Sequence, residues 1–281
     1  MLGAKGMSFE VLSRIAETLA PYLTPARIKR MDDTIAGRTR DVVLVLEDIL
    51  DEHNASAVLR TAEALGVLEV HFIVHRHPFK LTHKITRGAH KWLDLRGHDS
   101  TEKALSDLKA RDYTVWAADV RAPAEPLESV SASAGKVALV FGNEHAGLSD
   151  EAMAASDGCF CIPMHGFVES LNISVAAAVA LYDVLAHRRR AGACGPLSPL
   201  DQAAVRAVWY TSSVRAAAQL LAEQGLPAPI IARSHKGLVF VDTSPESDIH
   251  AHAVSSCDPD VQVSADVESD ALGLASSSRP R

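Results

Sequence analysis

Short, uninterrupted runs of β-branched residues and leucine alternate along this chain with segments of helical periodicity. Two such runs, residues 41–49 (DVVLVLEDI) and 67–74 (VLEVHFIV), flank the segment ASAVLRTAEALG, for which Asn54 offers an N-terminal cap and Gly66 a C-terminal stop. Continuous apolar runs are typical of strands buried on both faces. Because strand, helix and strand follow one another with short connections, the sequence predicts an α/β fold with a parallel sheet.

The alternation continues as far as residue 190. Further strands are predicted at residues 92–95, 113–119, 136–142 and 158–164. Helices are predicted at residues 8–20, 25–37, 101–112, 148–156, 172–190 and 200–225. This order indicates a basic helical segment (1–40), an α/β domain (41–192), a C-terminal extension (193–242) and a tail (243–281). The tail is rich in Ser, Asp and Pro, so we expect it to be disordered.

The net charge of −7 argues at first against a nucleic-acid partner. Residues 242–281, however, hold eight acidic and two basic residues, so this segment carries −6 of that charge. Local clusters of basic residues attract phosphate whatever the net charge. Three clusters are present: Arg27, Lys29, Arg30, Arg38 and Arg40; Arg76, Lys80, Lys84, Arg87, Lys91 and Arg96; and Arg188, Arg189 and Arg190. Solvated surface is the alternative interpretation of each cluster.

The chain has no run of 18 or more apolar residues, so we expect no transmembrane helix, and residues 1–23 lack the apolar core of a signal peptide. The four cysteines form no CxxC pair. They are Cys159, Cys161, Cys194 and Cys257. We therefore expect reduced thiols rather than zinc ligands, no bound metal and a cytoplasmic protein.

Polar residues that could carry chemistry fall in three segments. The first, HNASAVLRTAEALGV, places Asn54 and Arg60 on one predicted helix, in an otherwise apolar stretch where Arg60 either pairs with a carboxylate or has a function. The second, residues 139–151 (LVFGNEHAGLSDE), runs from a strand into Gly142 and Glu144. Ligands of parallel sheets bind beyond the carboxyl ends of the strands, and a glycine there permits close backbone approach. An ordinary strand-to-helix turn has the same sequence pattern and is the alternative interpretation of the second segment.

The third segment, residues 162–183, begins IPMHGFVESLNIS and leads into the long predicted helix. Ser170 or Asn172 can cap that helix. Free backbone N–H groups at the helix start can also hold an anion or the carboxylate of a small ligand. The phosphate-binding pattern GxGxxG is absent from the chain, so a nucleotide-dependent oxidoreductase is disfavoured.

In order, the three segments read N-x5-R-T-A-E-A-x-G, F-G-N-E-x-x-G-L-S and I-P-M-x-G-x3-S-L-N-x-S-V-A-A-A. They resemble the three motifs of the SpoU/TrmH methyltransferases, and the resemblance covers residues 25–190. It implies a parallel α/β sheet with a C-terminal trefoil knot, flanked by N-terminal helices and a C-terminal helical extension. It also implies S-adenosylmethionine bound in the knot and a homodimer. A knot is too rare to be expected from element spacing.

The resemblance implies roles for individual residues. Arg60 polarises a ribose 2′-hydroxyl or takes its proton, and Asn54 orients Arg60 or the ribose. Glu144 organises the second motif or pairs with Arg60, while Ser170 and Asn172 line the pocket. Backbone contacts to the cofactor are implied for Gly142, Ile162, Leu171 and, as a weaker candidate, Ala118.

Within the family, the chain resembles the tRNA (guanosine-18) branch most. A basic segment precedes the first strand, GAHKW (88–92) resembles the G-x-H-K-W of that branch, and residues 219–242 are similar to a C-terminal module of some members. The implied partner is tRNA. The implied RNA-binding residues are Arg27, Arg30, Arg38 and Arg188.

Two alternatives stay open. An rRNA ribose methyltransferase would share the chemistry and act on a different RNA, although such enzymes usually carry an additional N-terminal RNA-binding domain. A non-catalytic RNA-binding protein on the same scaffold belongs to another class of function. The five candidate catalytic residues are present together, which disfavours this second alternative.

Overall fold

The computed structural model of this chain describes residues 6–49, 51–75, 88–120, 123–229, 232–233 and 239–240. The predicted tail (243–281) and much of the second basic cluster, in residues 76–87, lie outside the described residues. None of the described helices is long and apolar enough to cross a membrane.

The described elements follow the predicted alternation, except that residues 125–132 form a strand and a helix that were not predicted and the helix predicted at 200–225 is divided into two. The helices are α1 (Phe9–Leu19), α2 (Pro25–Ala36), α3 (Glu52–Ala64), α4 (Thr101–Lys109), α5 (Leu127–Ala132), α6 (Asp150–Ala155), α7 (Ile173–Arg190), α8 (Pro199–Ser213) and α9 (Ala217–Glu223). The strands are β1 (Val42–Glu47), β2 (Glu69–Ile73), β3 (Asp94–His98), β4 (Tyr113–Ala118), β5 (Glu125–Pro126), β6 (Lys136–Phe141), β7 (Gly158–Cys161), β8 (Ala232–Arg233) and β9 (Val239–Phe240). Short 3-10 turns lie at Ala20–Tyr22 and Ala89–Trp92.

The main sheet has seven strands among the described residues, in the order β3-β2-β1-β6-β4-β7-β5, and each pair of neighbours is parallel. The predicted parallel α/β sheet is therefore confirmed. All six residues of β1 are buried, as its uninterrupted apolar run indicated.

The two faces of the sheet bury different sides of the same strands. Val42, Leu44 and Leu46 of β1 pack in a core shared with α3 and α7. Val43 and Val45 point to the other face, into a core shared with α4 and α6. This alternation follows from the two-residue repeat of a strand.

A third core joins the two ends of the described chain. Leu12 and Ile15 of α1 and Ile35 of α2 pack with Trp209 of α8 and Leu221 of α9. The sequence predicted residues 1–40 and 193–242 as separate segments; in the structure they share this helical core. Arg38, placed between α2 and β1, lies beside it with its guanidinium carbon 5.6 Å from the Trp209 ring centroid.

Charged residues are buried at the amino ends of the strands. The carboxylate of Glu69 is 0% exposed and accepts hydrogen bonds from Arg111 Nη1 (2.6 Å) and Nη2 (2.9 Å), while Arg40 and Arg96 also pair with it. Asp94 accepts from Arg40 (3.1 Å) and Arg96 (3.0 Å). Burial raises the pKa of Glu69, but the positive charge of Arg96 and the other partners outweighs it and holds the pKa well below its usual value. We call Arg40, Glu69, Asp94, Arg96 and Arg111 the amino-end ion network.

Candidate functional site

A cavity of about 400 Å³ lies beyond the carboxyl ends of β4, β6 and β7. Its volume is in the range of small-molecule sites, and its position is where parallel sheets bind ligands. The lining includes seven residues predicted for the catalytic and cofactor-binding sets. They are Ala118, Gly142, Glu144, Ile162, Ser170, Leu171 and Asn172. The strand order brings the second and third sequence segments together here, although residues 152–161 separate them in the chain.

The loop after β6 is a tight turn closed on itself. Asn143 N–H donates to Gly147 O (3.0 Å), and Gly147 N–H donates back to Asn143 O (2.8 Å). A Cβ atom on Gly142 would lie 2.4 Å from both Gly147 C and Leu148 N, so no side chain fits there. The sequence interpretation was that a glycine permits close approach to a ligand; the structure gives a different reason for the glycine, because the loop's own backbone occupies the space of a side chain.

Asn143 holds this turn from within. Its Oδ1 accepts hydrogen bonds from the N–H groups of His145 (2.8 Å) and Ala146 (3.0 Å), and its Nδ2 donates to Asp48 O (2.8 Å). Asn143 lines the cavity but was not among the predicted site residues. The signal was available in the sequence, because asparagine at the start of a glycine-containing loop is typical of such side chain-to-backbone turns.

A chain of hydrogen bonds connects the first segment with the other two. Asn172 caps α7 by accepting at Oδ1 from Ser174 N–H (2.9 Å) and from the Ser174 hydroxyl (2.6 Å). Its Nδ2 is therefore the group that donates to Asn54 Oδ1 (3.1 Å), and Asn54 Nδ2 then donates to Glu144 Oε1 (2.9 Å). The helix cap thus sets the direction of both amides and directs an N–H at the Glu144 carboxylate. Ser174 is a further residue that the sequence interpretation missed.

Two sequence predictions about the first segment need correction. Asn54 is not the cap of α3, because the helix begins at Glu52 and the carboxylate of Asp51 accepts from His53 N–H (2.7 Å). Among the hydrogen bonds and ion pairs of the described residues, Glu144 joins Asn54 rather than Arg60. The prediction that Asn172 could cap the long helix is confirmed.

Arg60 is exposed on α3 and does not belong to the described lining of the cavity. It lies six positions after Asn54, which on an α-helix is about 9 Å along the axis and a different side of the helix. Among the described residues Arg60 makes no ion pair, so the alternative of an arginine paired with a carboxylate finds no support in this structure.

The predicted RNA-binding arginines divide into two groups. Arg27 and Arg30 are exposed on α2, and the guanidinium carbon of Arg27 lies 5.1 Å from the ring centroid of Trp92. Arg38 and Arg188 are each 1% exposed. Arg38 donates to Glu63 O and Val67 O and pairs with the Glu63 carboxylate (2.5 Å), and burial lowers its pKa.

Arg188 is tied down in the same way. Its guanidinium donates to the carbonyl oxygens of Ser133 (2.7 Å), Gly135 and Ala193 (3.3 Å). A side chain surrounded by protein carbonyls cannot reach a phosphate, so the prediction that Arg38 and Arg188 contact RNA is wrong for this structure. The sequence shows only that these residues are charged, and their partners lie 25 or more residues away along the chain, except for Ala193.

Comparisons with known proteins find a matching family model, similar sequences and a similar solved structure. The model of the SpoU rRNA Methylase family matches residues 41–182. The chain is 40% identical over 169 residues to a tRNA (guanosine(18)-2′-O)-methyltransferase of Thermus thermophilus, which covers 60% of the chain and 87% of that protein. It is 33% identical over 209 residues to the enzyme of the same description from Borreliella burgdorferi, over 74% of the chain and 95% of that protein. The crystal structure of the A. aeolicus TrmH/SpoU tRNA modifying enzyme superposes with a TM-score of 0.63 at 29% identity, over 67% of this chain and 97% of that one.

Proposed function

Because the chain belongs to the SpoU rRNA methylase family, we propose that it transfers a methyl group from S-adenosylmethionine to the ribose 2′-hydroxyl of guanosine 18 in tRNA. The observation that carries the proposal is the cavity at the carboxyl ends of the strands, where the second and third motifs meet and the Asn54–Glu144 hydrogen bond brings in the first. The similarity to tRNA (guanosine(18)-2′-O)-methyltransferases supports the choice of tRNA and of its nucleotide.

The cavity suits S-adenosylmethionine in size and chemistry. Buried Phe141 and partly buried Ile162 and Leu171 offer apolar walls for an adenosine ring, and residues of the loops after β6 and β7 complete the lining. The start of α7 faces the same space, and the positive end of its helix dipole suits the carboxylate of the methionine part. Ala118, Gly142, Ile162 and Leu171 are the residues that would hold the cofactor, inside the trefoil knot that the family resemblance implies.

The bound cofactor supplies an activated methyl group on sulfonium, so the protein's task is to position and activate the hydroxyl. Arginine remains protonated at working pH and is a poor base. Arg60 therefore stabilises the developing alkoxide by donating hydrogen bonds to it. Glu144 has one carboxylate oxygen occupied by Asn54, and its other oxygen can accept from a ribose hydroxyl. Ser170 and Asn172, on the cavity wall, complete the surface against which the ribose is placed.

Docking of the RNA is assigned to the exposed side of α2. A cavity of about 400 Å³ is the size of a small-molecule site, so recognition of a whole tRNA needs other contacts, which are mainly to phosphates. Arg27, Lys29 and Arg30 are exposed together there, and Lys91 follows in the turn that carries Trp92. Stacking of Arg27 on Trp92 joins α2 to this turn, so the two basic segments form one surface.

The proposed assembly is a homodimer through α7. Val175, Val179 and Tyr182 recur at helical spacing and are 46%, 40% and 67% exposed, which is an apolar stripe that a second copy would cover. A second copy also offers a route for Arg60 to enter a cavity, since Arg60 stands outside that of its own chain. Mixing Arg60→Ala chains with Leu171→Arg chains tests this: activity of the mixture above either variant alone indicates a shared site. An RNA substrate and the free thiols of Cys159, Cys161 and Cys194 suit a cytoplasmic enzyme.

The function is tested by incubating the protein with S-adenosylmethionine carrying a labelled methyl group and with purified tRNA or rRNA. Label in tRNA, mapped to the 2′-oxygen of guanosine 18, is the expected result. Label in rRNA alone would identify the rRNA alternative. Binding of tRNA with no transfer to any RNA, by protein that binds the cofactor, would identify the non-catalytic alternative.

A further inference from the structure

The residue that follows β1 has an unusual backbone. Asp48 has φ +47°, the left-handed region that non-glycine residues rarely adopt. Such a conformation persists where surrounding contacts hold it, and it concentrates at functional sites. Asp48 belongs to none of the three motifs that the sequence identifies, so its conformation needs a separate explanation.

The contacts of Asp48 reach two other strand ends. Its carbonyl oxygen accepts from Asn143 Nδ2 (2.8 Å), in the loop after β6. Its carboxylate accepts from His75 N–H (2.8 Å) and lies 3.0 Å from His75 Nδ1, just beyond β2. Because the left-handed turn lets the carbonyl and the carboxylate serve different neighbours, the strained residue bridges three parallel strands.

Glu47, the residue before Asp48, binds the other end of the loop that follows β6. The Glu47 carboxylate is 2% exposed and accepts from Ser149 N–H (2.9 Å), the Ser149 hydroxyl (2.8 Å) and the Thr101 hydroxyl (2.6 Å). Thr101 Oγ1 in turn lies 3.2 Å from His75 Nε2. These hydrogen bonds, together with the backbone of residues 47–48 and 143–149, close a ring through Glu47, Asp48, Asn143, Ser149, Thr101 and His75.

The ring fixes both ends of the loop that forms one wall of the cavity. Asn143 is bound to Asp48, Ser149 is bound to Glu47, and residues 143–147 between them line the cavity. Glu144, which accepts from Asn54, directly follows the residue that Asp48 holds. We propose that Asp48 is a positioning residue for the methyl transfer, whose left-handed backbone sets the cofactor-binding loop and the direction of Glu144. This inference rests on the proposed function.

Substitutions at Asp48 and at Asn143, the two partners of one hydrogen bond, distinguish a positioning role of Asp48 from a general structural role. Asn in place of Asp48 tolerates the left-handed region, keeps the carbonyl acceptor and keeps an oxygen for His75 N–H. Asp in place of Asn143 keeps the oxygen that accepts from His145 and Ala146 but loses the N–H that Asp48 binds. Asp48→Ala disfavours the left-handed backbone and removes the carboxylate.

Two measurements are made on each full-length variant: amide hydrogen exchange at Gly147, and the Kd for S-adenosylmethionine by calorimetry. We expect Asp48→Ala and Asn143→Asp each to speed exchange and to raise the Kd about tenfold, the effect of roughly one lost hydrogen bond to a positioned group. Asp48→Asn should stay within about twofold of the parent in both measurements, since it keeps the carbonyl contact.

Each outcome tests either the positioning role of Asp48 or the proposed function. Parent-like exchange and cofactor affinity in folded Asp48→Ala and Asn143→Asp, even with a lowered melting temperature, would overturn the positioning role. Equal losses in Asp48→Asn and Asp48→Ala would also overturn it, because they would point to the carboxylate charge instead of the backbone. A parent protein that binds no S-adenosylmethionine would overturn the proposed function, and the exchange rates would still decide whether the ring holds the loop.

Discussion

The two ends of the same parallel sheet use polar residues in opposite ways. At the amino ends, Glu69 and Asp94 are fully buried and every charge faces an opposite charge. At the carboxyl ends, Glu144 is exposed and held by one hydrogen bond from Asn54, and the exposed Asn172 bonds Ser174 and Asn54 without any charged partner. Paired, buried charges mainly stabilise one arrangement, whereas exposed, lightly held groups remain available to a ligand. The comparison predicts that changes at the carboxyl ends remove activity, and that changes at the amino ends remove stability.

The largest expected effect is a loss of the methyl transfer proposed for the carboxyl-end site, when the proposed catalytic arginine of α3 is removed. Arg60→Ala should lower methyl transfer by about 10²–10³-fold, the usual loss when a donor to a developing negative charge is removed. Because Arg60 is exposed and makes no ion pair among the described residues, the unfolding free energy and the Kd for S-adenosylmethionine should hardly change. The measurements are single-turnover transfer to tRNA, cofactor calorimetry and urea unfolding.

Arg14→Ala is the matched control for that experiment, since Arg14 is also an exposed helical arginine but lies in α1, outside the three motifs. It should keep full activity. Unchanged turnover in Arg60→Ala would remove Arg60 from the catalytic set and weaken the contrast between the two ends.

The largest expected effect on stability is at the amino ends. Glu69→Ala leaves the guanidinium groups of Arg40, Arg96 and Arg111 without their shared buried carboxylate. Removing one partner of a buried ion network costs about 3–5 kcal/mol. Urea unfolding measures the loss, and Glu102→Ala, an exposed carboxylate of α4, should change the unfolding free energy by less than about 0.5 kcal/mol.

Folded Glu69→Ala protein should still bind S-adenosylmethionine with the parent's affinity, because the cavity lies at the other end of the strands. A loss of stability below about 1 kcal/mol would show that solvent screens the network. A loss of cofactor affinity in the folded fraction would show that the two ends are coupled.

The contrast between the two ends of the sheet also explains which features could be predicted from the sequence. Uninterrupted apolar runs identified the strands, because strands of a parallel sheet are buried on both faces. The approach of the second and third motifs was also predictable, since residues that follow parallel strands gather at one edge. The burial of Arg38 was not, because the carbonyl groups that bind it come from the distant residues Glu63 and Val67. Nor was the left-handed Asp48, whose partners follow two other strands.

Acid should lower the free energy of unfolding through the buried histidines His71 and His98. Burial, then the charges of His71 and Arg96, lower the pKa of His98 to about 4, and burial also lowers the pKa of His71. In the unfolded chain the pKa of His98 lies near 6.5, so unfolding takes up a proton between these values. The contribution is present above pH 6.5 and is lost as the pH falls toward 4, by up to roughly 3 kcal/mol.

Urea midpoints at pH 7.5, 5.5 and 4.5 measure this loss. His98→Gln removes one titrating ring, so its stability should fall less steeply over the same interval. Parallel curves for the variant and the parent would assign the acid sensitivity to other groups.

The smallest expected effect is on tRNA binding, in which the exposed arginines should take part and the buried ones should not. Arg27 and Arg30 stand on α2 in solvent, whereas Arg38, a few residues later, is bound to carbonyls and Glu63. Arg27→Ala with Arg30→Ala should weaken tRNA binding several-fold and lower the slope of log affinity against log salt by about two, close to one for each lost phosphate contact.

Arg38→Ala is the decisive control for this surface, because it changes the same kind of residue in the same basic cluster. It should lower the unfolding free energy, since Glu63 and two carbonyl groups lose their buried partner, and it should leave the salt slope of the folded protein unchanged. The measurement is tRNA affinity over a salt series for all three proteins. An unchanged slope in the double variant would remove α2 from the docking surface. A lowered slope in Arg38→Ala would mean that its side chain leaves the interior when RNA binds, and that the division between buried and exposed charge shifts with the substrate.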